Sequence, residues 1–317
     1  MKKFDLVLGT GPLGRAVAEA LTYDGRSVKF ASLSGRRGDL PHECLCIDLL
    51  APNLSQEVKT GVDRLFMCAA PKYWRWPQEL VPMVEGALQL ARESGAPMVF
   101  ADNLYAYGPS SETLTETTPS KPCGPKGQSR LQAAETILAA HAKGDVRTAI
   151  VRSSDFFGPG VDVSILGSTV FQNVAQGKSV NCLGDIDQPH TFNFIRDFAR
   201  AMVNVISNED CHGQVWHAPA DEALSVREIV SLIAEECGTE ARFNVAPEWL
   251  VRIMSLFDRS IRELNEVSYL YKKPLIMDCH KYERRFGAKT TPHRQAIKET
   301  LEDLNLTHIV TDSSKLA

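Results

Sequence analysis

Apolar residues along the first half of the chain recur with two alternating periods, one of strands and one of helices. Phe4 to Leu8 is an apolar run interrupted only by Asp5, which reads as a buried strand. A helical pattern follows at once, with Leu13, Ala16, Val17, Ala20 and Leu21 at i, i+3, i+4, i+7 and i+8. Ser27 to Ser32 predicts a second strand, Cys44 to Asp48 a third and Arg64 to Ala70 a fourth. A helix from Gln78 to Ser94 carries Leu80, Val84, Ala87, Leu88 and Ala91 on one face, and Gly95 ends it. Pro97 to Ala101 predicts a fifth strand. A helix starting near Gln128 turns Leu131, Ala134 and Leu138 inward, and Arg147 to Val151 predicts a sixth strand. Strands that alternate with helices and are apolar along most of their length indicate an α/β fold with a doubly wound parallel sheet.

Beyond Val151 the pattern breaks up. Gly158-Pro159-Gly160 is a turn, followed by a helix around Ser168 to Gln176 and short strands near Val180 and Phe192. Asp197 to Ile206 predicts a helix and Gln214 to His217 a strand. Ser225 and Glu228 form a capping box ahead of Val226, Ile229, Val230 and Ile233. The tail from Pro247 to Leu304 is mainly helical, and its Trp249, Tyr269 and Tyr271 read as core or interface packing.

The turn after the first strand reads Gly9-Thr10-Gly11-Pro12-Leu13-Gly14. A G-x-G-x-x-G between a strand and a helix is the context in which this spacing binds a dinucleotide. Gly9 permits the tight turn, Gly11 lets the backbone approach a pyrophosphate, and Gly14 lets the helix pack on the strand. The phosphates would sit on the free N–H groups at the positive end of the helix, where the missing N–H of Pro12 costs little. The bland alternative is the same turn with no ligand. After the second strand the chain reads Ala31-Ser32-Leu33-Ser34-Gly35-Arg36-Arg37, with no acid before Asp39 to hold a ribose 2′-hydroxyl. Ser32, Ser34, Arg36 and Arg37 suit a 2′-phosphate, so NADP is the expected cofactor and NAD stays open; the alternative is a solvated basic turn. The expected organisation is a Rossmann domain over residues 1–157, with 191–220 returning to it. Residues 158–190 and 221–306 form a smaller, mainly helical substrate-binding part over the mouth of the sheet, and 307–317 form a tail.

Composition narrows the partners. The chain has 317 residues, 44% hydrophobic and 23% charged, with a net charge of −4, which gives no reason to invoke nucleic acid or an anionic membrane. No apolar run approaches the ~18 residues of a membrane span. The residues after Met1-Lys2-Lys3 form no signal-peptide core, and Ser314-Lys315-Leu316 is followed by Ala317, so it is no peroxisomal address. The eight cysteines include no C-x-x-C, which suggests reduced thiols in a cytoplasmic protein and no structural metal. The stretch from Gly108 to Gly127, rich in Pro, Ser, Thr and Gly, is long for a connector and reads as functional.

The order Gly9-Thr10-Gly11-Pro12-Leu13-Gly14, Asp48-Leu49, Ala69-Ala70, Tyr107-Gly108, Arg152 and Gly158-Pro159-Gly160 resembles the extended short-chain dehydrogenase/reductase family of NAD-dependent epimerases and dehydratases. The resemblance spans most of the chain. It is specific in the cofactor domain and loose beyond it. It implies that Asp48, with Leu49 beside it, touches the adenine, that Ala69 and Ala70 lie against the cofactor, and that Ser153 joins the cofactor set. It places Asp155 where the family often has an asparagine that meets the substrate.

The catalytic set departs from that family. Asn103 stands where a Ser or Thr is expected, four residues before Tyr107. Against the expected Tyr-x-x-x-Lys, Lys126 occupies the tyrosine position and Arg130 the lysine position. A lysine beside a tyrosine lowers the phenol pKa so that it can exchange a proton, and Lys126 with Arg130 cannot reproduce this. They are expected to act as electrostatic anchors for the cofactor or an anionic substrate. Tyr105 is the leading candidate for a substitute proton donor, with bound water or the substrate next, and it is weighed against plain packing of Tyr105 and Tyr107 in the loop. Tyr73 and Trp76, in Pro71-Lys72-Tyr73-Trp74-Arg75-Trp76-Pro77, suggest a pocket wall. His190, in the polar turn Asp185 to Thr191, is a substrate-contact candidate, although a histidine in such a turn is ordinarily a surface residue. The expected function is an NADP-dependent oxidoreductase or epimerase-like enzyme for a small polar carbonyl or hydroxyl compound, such as a sugar or nucleotide-sugar. A homodimer is left open. The alternatives are a non-catalytic NADP(H)-sensing protein and a structural protein that has lost its ligand.

Overall fold

The computed structural model describes residues 3–53, 55–257, 262–263, 266–287 and 290–306. The expected tail, 307–317, lies outside the described residues. Strand β1 (Phe4–Leu8) leads into helix α1 (Pro12–Tyr23), then β2 (Val28–Ser32), β3 (Cys44–Cys46), α2 (Gln56–Gly61) and β4 (Val62–Met67). Helix α3 (Trp76–Ser94), β5 (Met98–Asn103), α4 (Pro125–Ala142) and β6 (Thr148–Ser153) complete the alternation. Further along, β7 (Asp155–Phe157), α5 (Ser168–Ala175), β8 (Val180–Cys182) and β9 (Phe192–Phe194) precede α6 (Ile195–Ile206) and β10 (Val215–His217). The main sheet is parallel, in the order β10-β6-β5-β4-β1-β2-β3. The chain direction across the sheet reverses beside β1, where Leu8 pairs with Ala31 on one side and Met67 on the other. In open α/β sheets that reversal leaves a crevice at the C-terminal strand ends.

Both faces of the sheet are covered. Val7, Phe30, Phe66 and Val99 pack under α1 and α6, whereas Leu6, Leu65 and Phe100 pack under α3 and α4. Burial on both faces is why these strands read as nearly continuous apolar runs. The interruption in β1 is also accounted for. Asp5 is fully buried and paired with Arg26 at 3.0 Å and Arg64 at 2.6 Å. Burial alone would raise its pKa, but the two guanidiniums more than offset this and hold the carboxyl below its usual value.

A second apolar core joins α5, α7 (Val226–Cys237) and a late helix, through Phe171, Ile229, Ile233 and Ile297. The expected capping box is present, with Ser225 and Glu228 satisfying each other's backbone N–H. Several boundaries differ from the sequence expectation. β4 ends at Met67, where its pairing with β1 ends, so Cys68 to Ala70 belong to a loop. α4 begins at Pro125 rather than Gln128, which puts Lys126 and Arg130 on its first turns. Two short strands were not legible: β7, paired in parallel with β9, and β11 (Phe243–Val245), paired with β8. The tail holds α8 (Glu248–Phe257), α9 (His280–Phe286) and α10 (His293–Asp303), but it also has extended bridges from Leu275 to His190 and from Met277 to Leu114. Trp249 is 63% exposed, so it is not a core residue. Among the described residues no helix is long and apolar enough to cross a membrane.

Candidate active site

The three glycines of the first turn have different reasons to be glycine. Gly9 has φ +109°, and a Cβ there would lie 2.8 Å from the backbone nitrogen of Ala69. A Cβ on Gly14 would lie 2.2 Å from the carbonyl oxygen of Gly9. Both are required by the chain's own packing. Gly11 is not: its φ of −72° suits any residue, and a Cβ there would meet nothing within 4 Å. An open position at the start of α1, with no acid in the first helical turn, fits the approach of a dinucleotide pyrophosphate. Thr10, Pro12 and Leu13 form the rest of this turn, and Ala69, in the loop after β4, lies against Gly9, with Ala70 following it in that loop.

The loop after β2 is built by its serines. Ser32 Oγ accepts from Gly35 N at 3.1 Å, and Ser34 Oγ accepts from Arg36 N at 3.3 Å. Arg37 donates to the carbonyls of Leu40 at 3.1 Å and Pro41 at 3.3 Å, so its guanidinium already holds the loop. Arg36 is exposed and shows no side-chain partner among the described residues. Asp48 is exposed and accepts from Leu50 N, whereas Leu49 is buried against α3, where a Cβ on Gly86 would strike its carbonyl. Ser153 ends β6 fully buried, with its hydroxyl turned to the carbonyl of Ser154.

A second cluster occupies the same edge of the sheet, beyond β4, β5 and β6. The Tyr73 hydroxyl donates to Tyr105 at 3.1 Å, and the Tyr73 ring meets Trp76 edge-on at 4.9 Å. Asn103 accepts from Tyr105 N at 3.1 Å and so fixes the turn that presents Tyr105. Arg130 lies over Trp76, 4.0 Å from the ring centre, and Asp102 joins it to Arg152. Burial lowers the Arg130 pKa, and its Nε is buried without a partner among the described residues. Lys126 is 1% exposed and paired at 2.5 Å with both Glu263 and Glu266, with its ammonium 4.7 Å from the Tyr73 ring. That charge is therefore committed to the chain's own carboxylates. Tyr107 is buried, hydrogen-bonded to His217 at 2.7 Å and stacked under Arg152.

His190 is not a surface residue. It is 3% exposed, and its Nε2 lies 2.9 Å from Asp155 Oδ2, while its ring stacks on Phe192 and Tyr271. The polar turn itself is largely exposed at Asp185, Asp187 and Pro189, but its end is buried, where His190 exchanges backbone hydrogen bonds with Leu224. This pair belongs to the same cluster, since the Asp155 charge acts on Tyr73, Tyr105 and Tyr271. Burial pushes Tyr73 up to about 12. It also pushes Tyr105 well above a normal phenol, with further increments from Tyr271, Tyr73 and Asp155. Arg130 is coupled by charge to Tyr105, yet burial outweighs any such pull and the phenol stays raised. A cleft of about 650 Å³ shares Tyr271 with this cluster and continues along Asp185, Asp187, Arg227 and Val251.

The model of the NAD dependent epimerase/dehydratase family matches residues 6–217, two thirds of the chain. The chain belongs to this family. An uncharacterized UDP-glucose epimerase, YtcB of Bacillus subtilis (strain 168), is 24% identical over 207 residues, covering 62% of this chain and 65% of the relative. UDP-glucuronic acid 4-epimerase from Bacillus cereus, solved in complex with NAD, shares the fold with a TM-score of 0.76 at 17% identity over 99% of each chain. MoeE5, solved in complex with UDP-glucuronic acid and NAD, gives 0.75 at 23% identity over 95% of this chain and 99% of its own.

Against this family background, the candidate-site residues that escaped the sequence are Asp102, Glu263, Glu266 and Tyr271. Asp102 had one legible signal, a carboxylate closing an otherwise apolar strand. The other three lie in the irregular tail, where no periodicity marks which face a residue takes, and Tyr271 read there as packing.

Proposed function

We propose that this member of the epimerase/dehydratase family is an NADP(H)-preferring oxidoreductase or epimerase-like enzyme acting on a hydroxyl or carbonyl of a sugar or nucleotide-sugar. The observation that carries the proposal is the open, unstrained Gly11 on the same sheet edge as the Tyr105, Asp155 and His190 cluster. The Gly11 opening and the uncovered start of α1 would take the pyrophosphate, and Arg36 with Ser34 would take a 2′-phosphate. UDP-sugar complexes of structural relatives support the substrate class, and the cleft beside Tyr271 offers room for the remainder of such a substrate.

When bound, the nicotinamide supplies the hydride donor and acceptor for a carbinol carbon. The chain's own residues handle the proton at the substrate oxygen. Tyr105 keeps its proton at neutral pH, because its pKa is raised. Since Tyr73 donates to it, the Tyr105 O–H is left to point at the substrate oxygen. Asp155, held by His190 through Oδ2, presents its other oxygen to accept a proton or a substrate hydroxyl. Arg130 Nε is available to a cofactor or substrate hydroxyl.

The test is calorimetric titration with NADPH and NADH, followed by incubation with UDP-glucose, UDP-glucuronic acid and the free sugars. Tighter NADPH binding and a chromatographically new product are expected. Failure of the wild type to bind either dinucleotide overturns the proposal. Tight binding with no turnover selects the second reading, an NADP(H)-sensing protein without chemistry. The observation favouring that reading is the set of phenols raised by burial, which at Tyr73 outweighs the opposing charge of Arg130.

A further inference from the structure

The residue at the family's tyrosine position is a buried lysine held by two acids from a distant part of the chain. We infer that Lys126 is a positioning residue, an electrostatic latch that fastens the segment carrying Tyr269 and Tyr271 onto the first turn of α4. This deepens the proposed function, because that segment walls the substrate side of the same site.

The contacts converge on Glu266. Its Oε2 and that of Glu263 each lie 2.5 Å from Lys126 Nζ, and its Oε1 accepts from the Lys126 backbone N–H at 2.9 Å. α4 has a glycine at its N-cap, no side-chain cap and no acid in its first turn. The carboxylate of Glu266 therefore supplies from outside the helix the cap and the negative charge that the helix start lacks. Room for it is provided at Gly124, where a Cβ would lie 2.8 Å from Glu266 Oε1. Lys126 also sits over the Tyr73 ring, so one side chain joins the loop before α3, the start of α4 and the tail.

A short turn, Ser268–Tyr271, begins two residues after Glu266. It places the Tyr271 ring 6.0 Å from His190 at an interplanar angle of 22°. His190 in turn holds Asp155. Lys126 thus acts on the reacting region through Glu266 and Tyr271, without meeting substrate itself. A buried ammonium that lost its acids, or acids that lost their ammonium, would be left with uncompensated charge, which is why such a contact is either closed or opens as a unit.

The experiment is amide hydrogen exchange on the full chain without any ligand, so it does not depend on whether the proposed activity is right. Leu270 and Lys272 donate backbone hydrogen bonds within the segment and are the reporters. In Lys126→Met their exchange is expected to speed by about tenfold or more, while Ile150 and Val151 in β6 keep wild-type rates. Glu266→Gln should show the same pattern, and adding it to Lys126→Met should add little, because the two act on one contact. Lys126→Arg, which keeps the charge and can bridge two carboxylates, should restore slow exchange. Unchanged reporters in both single variants, or equal acceleration in β6, would overturn the latch. If Lys126→Met fails to fold, Glu266→Gln with the partly exposed partner carries the same comparison. Loss of dinucleotide binding by the wild type would sink the proposed function and leave this result standing.

Discussion

Gly9, Gly11 and Gly14 can be separated by what a side chain would meet at each, and that separation yields the most direct test of the cofactor site. Gly11→Val should leave the fold intact, because the position is unstrained and open. It should weaken dinucleotide binding by at least about tenfold, since the new side chain takes the pyrophosphate's space. Gly14→Val should instead destabilise the protein, because its Cβ would strike the Gly9 carbonyl. Circular dichroism and calorimetry on the pair decide the matter, and unchanged affinity in a folded Gly11→Val protein would show that the crevice binds something else. Tyr105→Phe keeps the ring and removes the proton. If Tyr105 is the donor, kcat should fall by roughly 10²–10⁴-fold with the fold unchanged. Lys126→Met should act mainly through KM, because Lys126 holds the wall that carries Tyr271 and does not itself touch the reacting atoms. Steady-state kinetics with any substrate found in the panel separates the two, and a strong kcat loss in Lys126→Met with none in Tyr105→Phe would reverse the roles.

At the scale of an element, the proposed function makes the loop after β2 the determinant of cofactor preference. Its serines fold the turn and Arg37 caps its carbonyls, which leaves Arg36 as the guanidinium with no side-chain partner among the described residues. Arg36→Ala is expected to weaken NADPH binding by about tenfold, the worth of a charge-assisted hydrogen bond, and to leave NADH unchanged. Adding Arg37→Ala should cost further affinity by loosening the loop that presents Arg36. Calorimetry with both dinucleotides reads this. Equal or tighter NADH binding by the wild type would remove the preference altogether. The first turn of α4 shows a different use of an element: its start is capped by an acid from the tail, so a helix terminus serves as the anchor point for a remote segment.

For the whole molecule, acid sensitivity is traceable to a buried histidine at the sheet edge. His217 is fully buried, its Nδ1 faces the carbonyl of Asp278 at 2.8 Å, and Tyr107 donates to its Nε2. Burial depresses its pKa from the usual 6.5 to about 4. The folded state therefore holds the neutral ring while the unfolded chain takes up a proton near its ordinary value. The stability this provides is complete above about pH 6.5 and is lost as the pH falls toward about 4. Tm should decline across that window in the wild type. His217→Gln, although less stable at neutral pH, should decline less across it. Parallel curves for the two proteins would assign the acid sensitivity elsewhere.

The doubly wound sheet was legible because its causes are local. A strand buried on both faces must be apolar throughout, a helix on a sheet must repeat every three to four residues, and the Gly9 to Gly14 turn has few other spacings that work. The crevice at the strand ends follows from those features, so Gly11, Ala69 and Arg36 could be named from the chain alone as candidates for the proposed cofactor site. The proposed substrate side could not be read in the same way. His190 read as exposed because its neighbours in sequence are polar, yet Asp155 and Tyr271 enclose it. Lys126 read as an open cation because the acids that neutralise it lie 137 and 140 positions away in sequence, in a tail with no clear period. A charge is open or spent according to what surrounds it in space. Side-chain periodicity records only which way a residue faces along its own element, and so the pairing of Lys126 with Glu263 and Glu266, like that of His190 with Asp155, was decided by tertiary structure.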